Sequence, residues 1–208
     1  MALTALVMAG GRGVRMNLPV EKPLLEVGEK TLVERVLQAL LGSEAVNRIV
    51  VATTSHTQET ASKVRRTCEI IESPGDGYVP DAKYAIKKLG LGKVIIVSAD
   101  LPFLESSLID AVVERFERCG KPALAVVVPL QVCERLGASY DHVIESQSGN
   151  LVPIGLNMID GRQIREEELE QELFIVEEEY VAINVNTQRD LELAEELYAR
   201  KISGKSKS

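Results

Sequence analysis

Runs of apolar residues alternate along this chain with stretches in which apolar residues recur every three or four positions. Short apolar runs are typical of strands buried on both faces of a parallel sheet, and the longer period is typical of helices that pack on it. The predicted strands are Leu3–Met8, Arg48–Ala52, Cys68–Ile71, Lys93–Val97 and Ala123–Val128. The predicted helices between them are Thr31–Leu41, Gln58–Thr67, Asp81–Leu89 and Ser106–Cys119. The alternation predicts an α/β fold with a mostly parallel central sheet and helices on both faces.

The regular alternation ends after Pro129. A short helix and antiparallel strands are predicted over Val132–Ala138, His142–Glu145 and Leu151–Asp160, followed by an acidic helix Gln163–Glu172, a strand Glu179–Asn184 and a helix Gln188–Arg200. Because no linker divides the chain, we expect one Rossmann-like domain over 1–202 with a small antiparallel excursion, and a frayed polar tail at 203–208. The irregular segment would expose strand edges, which a homodimer would cover.

The first predicted strand runs directly into a glycine-rich loop with Gly10, Gly11 and Gly13, and Arg15 and Lys22 follow shortly after. Glycine permits positive φ and close backbone approach, so successive N–H groups can point at one anion. Arg15 and Lys22 would add full positive charges beside it. A tight strand-to-helix turn with surface cations is the alternative, but the combination G-G-x-G-x-R-M with E-K-P-L is more specific and favours a polyphosphate site.

The two common phosphate-binding motifs do not fit this loop. A Walker A loop requires G-x4-G-K-[ST], which the chain lacks, and a dinucleotide fingerprint would need a third glycine where Met16 stands.

An acidic side chain follows a second predicted strand at the same edge of the sheet. Asp100 comes directly after Lys93–Val97, and ligands of such sheets bind at the carboxyl ends of the strands. Mg²⁺ prefers one or two protein carboxylates together with phosphate oxygens, so Asp100 is the first candidate metal ligand. A turn or capping aspartate before Pro102 is the alternative.

Two asparagines, Asn184 and Asn186, lie on one face at the end of the last predicted strand. An asparagine oxygen can be a second Mg²⁺ ligand, and we select Asn186; a hydrogen bond to backbone is equally compatible with the sequence. Thr187 and Asp190 are predicted to cap the following helix, because they have the spacing of a capping box.

Two further loops would form the walls of a nucleotide site. The stretch after the second strand, which includes Thr53, and the glycine turn Ser73–Asp81, which includes Gly77, are predicted to flank the ribose and base. A plain surface turn is the alternative for the glycine turn. Guanine presents N–H donors, so Asp76 or backbone carbonyls would accept from it, and the sequence does not choose between them.

The composition excludes several classes of protein. With a formal net charge of −7, scattered Lys and Arg, 4% aromatic residues and no Trp, the chain lacks the basic face and stacking platform of a nucleic-acid-binding protein. Its three cysteines have no C-x-x-C spacing, which argues against a disulfide framework or a zinc site. No apolar run is long enough to span a membrane, and the apolar start lacks the basic region of a signal peptide, so we expect a cytoplasmic protein.

The motifs together resemble the nucleotidyltransferase superfamily of molybdenum-cofactor guanylyltransferases and sugar-phosphate nucleotidyltransferases. The resemblance is closer to the archaeal guanylyltransferases that act on adenosylcobinamide phosphate in cobalamin (coenzyme B12) biosynthesis, and it covers nearly the whole chain. The similar stretches are A-L-V-M-A-G-G-R-G-V-R-M, E-K-P-L, G-D-G-Y, S-A-D-L, G-N-L-V-P-I-G-L-N and I-N-V-N-T-Q-R-D-L-E-L-A-E.

This resemblance implies a role for each matching residue. The implied substrates are GTP and a phosphorylated corrinoid, the implied cofactor is Mg²⁺, and the implied product besides the nucleotide adduct is pyrophosphate. The residues implied to bind GTP are Gly10, Gly11, Gly13, Arg15, Lys22, Thr53, Gly77 and Asp100, with Arg15, Lys22 and Asp100 catalytic and Asp100 and Asn186 holding Mg²⁺. Gly155 and Asn157 would lie near the acceptor phosphate, although a strand bulge also explains Gly155. The alternatives are transfer to another phosphorylated acceptor such as molybdopterin, or a non-catalytic nucleotide sensor.

Overall fold

The computed structural model describes residues 3–11, 13, 15, 16, 19–164 and 169–205. Within them, eight strands form one sheet, in the order β10-β7-β9-β6-β1-β4-β5 with β8 paired to β9. These strands are β1 (Leu3–Met8), β4 (Val46–Thr53), β5 (Glu69–Glu72), β6 (Lys93–Ser98), β7 (Ala123–Pro129), β8 (Ile144–Ser146), β9 (Gly149–Asp160) and β10 (Gln171–Ile175). A separate small hairpin consists of β2 (Glu26–Val27) and β3 (Lys30–Thr31).

The sheet is mostly parallel, as the alternation predicted. Strand β1 pairs in parallel with β4 and β6, β5 pairs in parallel with β4, and β10 pairs in parallel with β7. The antiparallel part is β9, which lies between β6 and β7 and also carries the short β8. Because β9 is inside the sheet, it brings Leu156 and Gly155 to the end of β6, just before Asp100.

Helices cover both faces of the sheet because neighbouring residues of each buried strand point in opposite directions. Ala5 and Val7 of β1 face a core cluster that contains residues of α1 and α4, whereas Leu6 and Met8 face α3. The helices are α1 (Leu32–Leu41), α2 (Gln58–Val64), α3 (Tyr78–Leu89), α4 (Ser106–Cys119), α5 (Leu130–Leu136) and α6 (Gln188–Lys205). Short 3-10 helices occupy Lys22–Leu24, Gly161–Gln163 and Glu179–Ala182. Among the described residues, none of these helices has both the length and the apolar character needed to cross a membrane.

Two elements of the second half differ from the predictions. The acidic helix expected over 163–172 is wrong: Gly161–Gln163 form a 3-10 turn and Gln171–Ile175 form β10, while 165–168 lie outside the described residues. Residues 171–175 pair with β7 instead of forming a helix, because this pairing lets Leu173 and Phe174 pack on the core. The strand expected over 179–184 is also wrong, since Glu179–Ala182 form a 3-10 turn that buries Val181 and Ala182.

Helix boundaries also differ. Helix α3 begins at Tyr78, three positions before the predicted start, and α6 continues to Lys205 beyond the predicted end at Arg200. Residues 206–208 of the expected tail lie outside the described residues.

Candidate active site

A cavity of about 910 Å³ opens at the carboxyl ends of β1 and β6, where the sequence placed a ligand-binding edge. The residues that line it come from the glycine loop, the Lys22–Leu24 turn, the start of α3, the end of β6, strand β9 and the segment 182–186. Eight predicted site residues meet in this cavity: Gly10, Gly11, Lys22, Gly77, Asp100, Gly155, Asn157 and Asn186.

The glycine loop is held closely against the loop after β4. The Gly10 carbonyl accepts a hydrogen bond of 3.0 Å from Thr54 Oγ1. A Cβ at Gly10 would lie 2.5 Å from Thr54 Cγ2, so only glycine fits without displacing Thr54. Gly13 has a φ of +60°, and a Cβ there would lie 3.2 Å from Lys22 Cβ. The glycines therefore bring the loop backbone against Thr54 and the Lys22 stem.

The residue before Lys22 anchors this lysine. Glu21 accepts hydrogen bonds from the backbone N–H groups of Glu59 (2.9 Å) and Thr60 (2.7 Å) and from Thr60 Oγ1 (2.6 Å). The 3-10 turn that follows has Pro23 in its first turn, where the missing N–H costs nothing. Glu21 and Pro23 thus fix the backbone from which the Lys22 side chain enters the cavity, which explains the physical role of E-K-P-L.

At the base of the cavity, Lys22 Nζ donates hydrogen bonds to Asp100 Oδ2 and to Asn186 Oδ1, the latter at 2.8 Å. The side chains of Lys22 and Asp100 are only 16% and 12% exposed. A backbone hydrogen bond of 3.0 Å from Val185 N–H to the Asp100 carbonyl holds the asparagine segment beside Asp100. The second carboxylate oxygen, Asp100 Oδ1, is buried and accepts no hydrogen bond from any described residue.

This free oxygen fits the predicted metal site. A buried carboxylate oxygen without a donor is a favourable ligand for a cation, and Mg²⁺ takes only one or two protein carboxylates when phosphates complete its shell. Among the described residues there is no group of three or more His, Cys, Asp or Glu side chains placed to hold a metal.

Asp190 has the structural role that the capping-box spacing predicted. Its Oδ2 accepts from the N–H groups of Asn186 (3.1 Å) and Thr187 (2.7 Å) and from Thr187 Oγ1 (2.8 Å). Asp190 Oδ1 accepts from the Ser139 N–H at 2.9 Å, and Oδ2 also accepts from Ser139 Oγ at 2.6 Å. The carboxylate therefore joins the start of α6 to the segment Ser139–His142, which lines the cavity.

Asp81 holds the glycine turn before α3. Its Oδ1 accepts from the N–H groups of Gly75 (2.9 Å) and Asp76 (3.3 Å), and the residue is 5% exposed. Gly77, with a φ of +126°, is the N-cap that precedes the helix. The turn places Asp76 and Gly77 on the cavity wall, as the sequence predicted.

Strand β9 forms the opposite wall and bends at Gly155. Gly155 has a φ of +79°, and a Cβ there would lie 2.9 Å from Ser98 Cβ. The pairing of β7 with β9 shifts register between Ala125 and Val127, so both a bulge and a close approach account for this glycine. Asn184 Nδ2 donates to the Ile154 carbonyl at 3.1 Å, and its buried Oδ1 has no donor among the described residues.

Tyr78, the first residue of α3, contacts this wall. Its hydroxyl lies 3.4 Å from the Gly155 carbonyl, and Asn157 lines the same cavity. Burial by the surrounding protein, helped by the charge of Asp100, raises the pKa of Tyr78 well above its ordinary value. The hydroxyl therefore stays protonated and can act as a donor.

Arg15 forms an ion pair with Asp141 at the edge of the cavity, with 2.5 Å between Nη1 and Oδ1. Both side chains are 56% exposed. The hydrogen bond from Arg15 lowers the pKa of Asp141 below its ordinary range, and the same bond raises the pKa of Arg15.

Three predicted site residues do not line the cavity. Thr53 is 2% exposed, and its carbonyl accepts from the N–H and hydroxyl of Ser73. Gly13 and Arg15 lie beside the cavity, next to Lys22 and Asp141 respectively.

The sequence placed Tyr78 and Asp81 in the glycine turn beside the nucleoside without giving either side chain a role of its own. Asn186 was selected in preference to Asn184, and the segment Ser139–His142 was not assigned to the site. The signal for Asp81 was its position four residues after Gly77, where an aspartate can fold back on a turn. No motif marks Ser139–His142, a segment that is bonded to Asp190 from a distant part of the chain.

A mostly parallel sheet with a glycine loop, an anchored lysine and a carboxylate at one cavity defines a nucleotidyltransferase. Residues 5–149 match the family described as the MobA-like NTP transferase domain, and the chain belongs to this family.

Individual relatives agree with that assignment. The chain is 32% identical over 207 residues to an adenosylcobinamide-phosphate guanylyltransferase from Methanocaldococcus jannaschii, covering 94% of this chain and 97% of the relative. It is 31% identical over 140 residues to a probable molybdenum cofactor guanylyltransferase from Thermococcus kodakarensis, covering 64% of each. A similar solved structure is a putative glucose-1-phosphate thymidylyltransferase from Bacillus anthracis, with a TM-score of 0.72, 17% identity and 95% of each chain covered. Nucleotidyltransferases of this kind commonly use a divalent metal ion.

Proposed function

We propose that this enzyme transfers GMP from GTP to the phosphate of adenosylcobinamide phosphate, which gives adenosylcobinamide-GDP and pyrophosphate in cobalamin biosynthesis. The observation that carries the proposal is the Lys22–Asp100–Asn186 cluster, set between the glycine loop and strand β9 in one cavity. The identity of 32% to a guanylyltransferase of this name over nearly both full lengths supports the choice of nucleotide and acceptor.

In this proposal the glycine loop and two cations bind the triphosphate. The N–H groups of Gly10 and Gly11 would point at phosphate oxygens, and Lys22 would add its charge from the base of the cavity. Arg15 would exchange Asp141 for a phosphate, since a multiply charged phosphate is the stronger partner for an exposed guanidinium. Gly77 and the exposed carboxylate of Asp76 would lie along the nucleoside.

The acceptor would enter along β9. Gly155 lacks a side chain and Asn157 lines the cavity, so a phosphate can approach Asp100 and Lys22 from this side.

The reaction is an in-line displacement at phosphorus. An oxygen of the acceptor phosphate attacks the α-phosphorus of GTP, the bond from that phosphorus to the bridging oxygen breaks, and the electron pair leaves with pyrophosphate. The nucleophile is already an anion near neutral pH, so no general base is required. His142, which lies on the cavity wall, therefore has no proton to remove from the acceptor. The protein contributes orientation and charge: the lysine reduces the repulsion between two anionic substrates and stabilises the leaving group.

We assign Mg²⁺ as the metal, held by Asp100 and Asn186. When bound it supplies positive charge next to the phosphates. The buried Asp100 Oδ1, to which no described residue donates, supports a cation at this position. The Asn186 oxygen already accepts from Lys22, so it would share its lone pairs between the ammonium and the metal.

One alternative acceptor is favoured by a specific observation. The relative from Thermococcus kodakarensis is named as a molybdenum cofactor guanylyltransferase and covers 64% of the chain, so molybdopterin is the second candidate acceptor. A nucleotide sensor without activity is disfavoured, because Lys22, Asp100 and Asn186 all remain together in the cavity.

Three further expectations remain predictions. They are the domain bounds 1–202, the cytoplasmic location and the homodimer, for which the edge strand β10 offers an unpaired side within the described sheet.

The proposal is tested by pyrophosphate release from the purified protein with Mg²⁺. GTP, ATP, CTP and UTP are compared, each alone, with adenosylcobinamide phosphate and with molybdopterin. Release only with GTP and adenosylcobinamide phosphate is expected. Release with molybdopterin instead supports the alternative, and binding of GTP without release in any mixture supports the sensor.

A further inference from the structure

We infer that the Tyr78 hydroxyl is a catalytic group that donates a hydrogen bond to the acceptor phosphate as it attacks. This inference rests on the proposed function and adds a residue to it. It starts from the position of Tyr78, which is the first residue of α3 and lines the same cavity as Asp100, Gly155 and Asn157.

The bond that the hydroxyl makes now is weak. An O–H···O hydrogen bond is usually 2.7–2.8 Å long, and the distance from the Tyr78 hydroxyl to the Gly155 carbonyl is 3.4 Å. A hydroxyl hydrogen rotates to the best acceptor within reach, and an anionic phosphate oxygen is a better acceptor than a carbonyl. An acceptor phosphate beside Gly155 would therefore capture this donor.

The chemical state of the hydroxyl suits a donor. Burial raises its pKa and the negative charge of Asp100 raises it further, so the proton is retained at any pH at which the enzyme would be assayed. Tyr78 lines the same cavity as Asp100, beside which the nucleotide would be attacked, and its contact with the Gly155 carbonyl lies on the acceptor wall.

The backbone around Tyr78 fixes this position. Gly77 turns the chain into α3 with a φ of +126°, and Asp81 holds the preceding turn through the N–H groups of Gly75 and Asp76. The residue as a whole keeps 40% of its surface exposed at the cavity mouth, while the protein packed around its hydroxyl raises the pKa. A ligand can therefore reach the side chain without unfolding the helix.

The test is Tyr78→Phe, which removes the hydroxyl and keeps the ring. The matched control is Tyr84→Phe on the same helix, whose hydroxyl accepts a 2.7 Å hydrogen bond from Lys88 and does not line the cavity. We expect kcat/KM for adenosylcobinamide phosphate to fall about 10- to 100-fold in Tyr78→Phe, the loss typical of a hydrogen bond to a charged group. The Kd for GTP alone, measured by calorimetry, and the unfolding midpoint stay at the wild-type values, and Tyr84→Phe matches the wild type throughout.

A Tyr78→Phe enzyme with kcat/KM within twofold of the wild type overturns the inference. An equal loss of GTP affinity also overturns it, because the hydroxyl would then serve the nucleotide. These results differ from a failure of the proposed function, in which the wild-type enzyme itself releases no pyrophosphate from GTP with this acceptor, and the role of Tyr78 falls with it.

Discussion

Replacing Lys22 with methionine tests whether the lysine neutralises a buried carboxylate as well as a substrate. Methionine keeps the length of the side chain and removes its charge. Both oxygens of Asp100 would then lie without a donor from the described residues, since Oδ1 already lacks one and Oδ2 accepts from Lys22. Breaking a fully buried ion pair costs about 3–5 kcal/mol.

Breaking the ion pair costs less here, because the side chains of Lys22 and Asp100 are still 16% and 12% exposed and face a cavity that water can enter. We expect the free energy of unfolding to fall by about 2–3 kcal/mol. For a domain of this size, the unfolding midpoint falls by roughly 2–4 °C for each kcal/mol.

The double variant Lys22→Met, Asp100→Asn separates stability from function. Without the charge on residue 100, most of the lost stability should return, while pyrophosphate release stays at least about 100-fold below the wild type in both variants. The control is Lys63→Met, which breaks an exposed ion pair with Glu34 and should cost no more than about 1 kcal/mol.

Urea denaturation followed by circular dichroism measures the free energies, and pyrophosphate release measures the activity. The reasoning is refuted if Lys22→Met is no less stable than Lys63→Met, or if the double variant is no more stable than the single one.

Three other changes have defined outcomes. Asp100→Ala should abolish turnover and preserve metal-free GTP binding by calorimetry; unchanged turnover removes Asp100 from the metal site. Gly155→Ala should lose about 1–2 kcal/mol more stability than Gly149→Ala. Both glycines have a positive φ, but of the two only Gly155 has another atom within reach of an added Cβ, and equal losses in urea denaturation would contradict this difference. Arg15→Gln should raise the pKa of Asp141, measured by NMR, towards its ordinary value. The ion pair stabilises the fold only above the lowered pKa of Asp141 in the wild type, so the small difference in stability between the two proteins should disappear as the pH falls through that pKa. A difference that persists in acid excludes the pair as its cause.

The first half of the fold was predictable because its strands are buried and its helices are amphipathic, so periodicity alone separates them. Strand β1 and helix α4 have the predicted bounds. The second half was harder, because its conformation depends on distant partners. Strand β10 follows a glutamate-rich stretch and becomes a strand by pairing with β7, a contact that the local sequence does not encode.

The candidate site shows the same division. Gly10, Lys22 and Asp100 could be selected because a glycine loop and a carboxylate that follow buried strands must meet at one edge of a parallel sheet. The individual roles of Tyr78 and Asn184 could not be selected, because their side chains contact carbonyls of β9, and the position of β9 depends on its pairing with β6 and β7.

The central claim is that GMP moves from GTP to the acceptor phosphate. The most direct measurement uses GTP labelled either at the α-phosphate or at the γ-phosphate, with adenosylcobinamide phosphate and Mg²⁺, and follows the label by chromatography and mass spectrometry. We expect the α-label to appear on the corrinoid as adenosylcobinamide-GDP and the γ-label to appear in pyrophosphate. An α-label that remains in guanine nucleotides, with the γ-label released as inorganic phosphate, would contradict it.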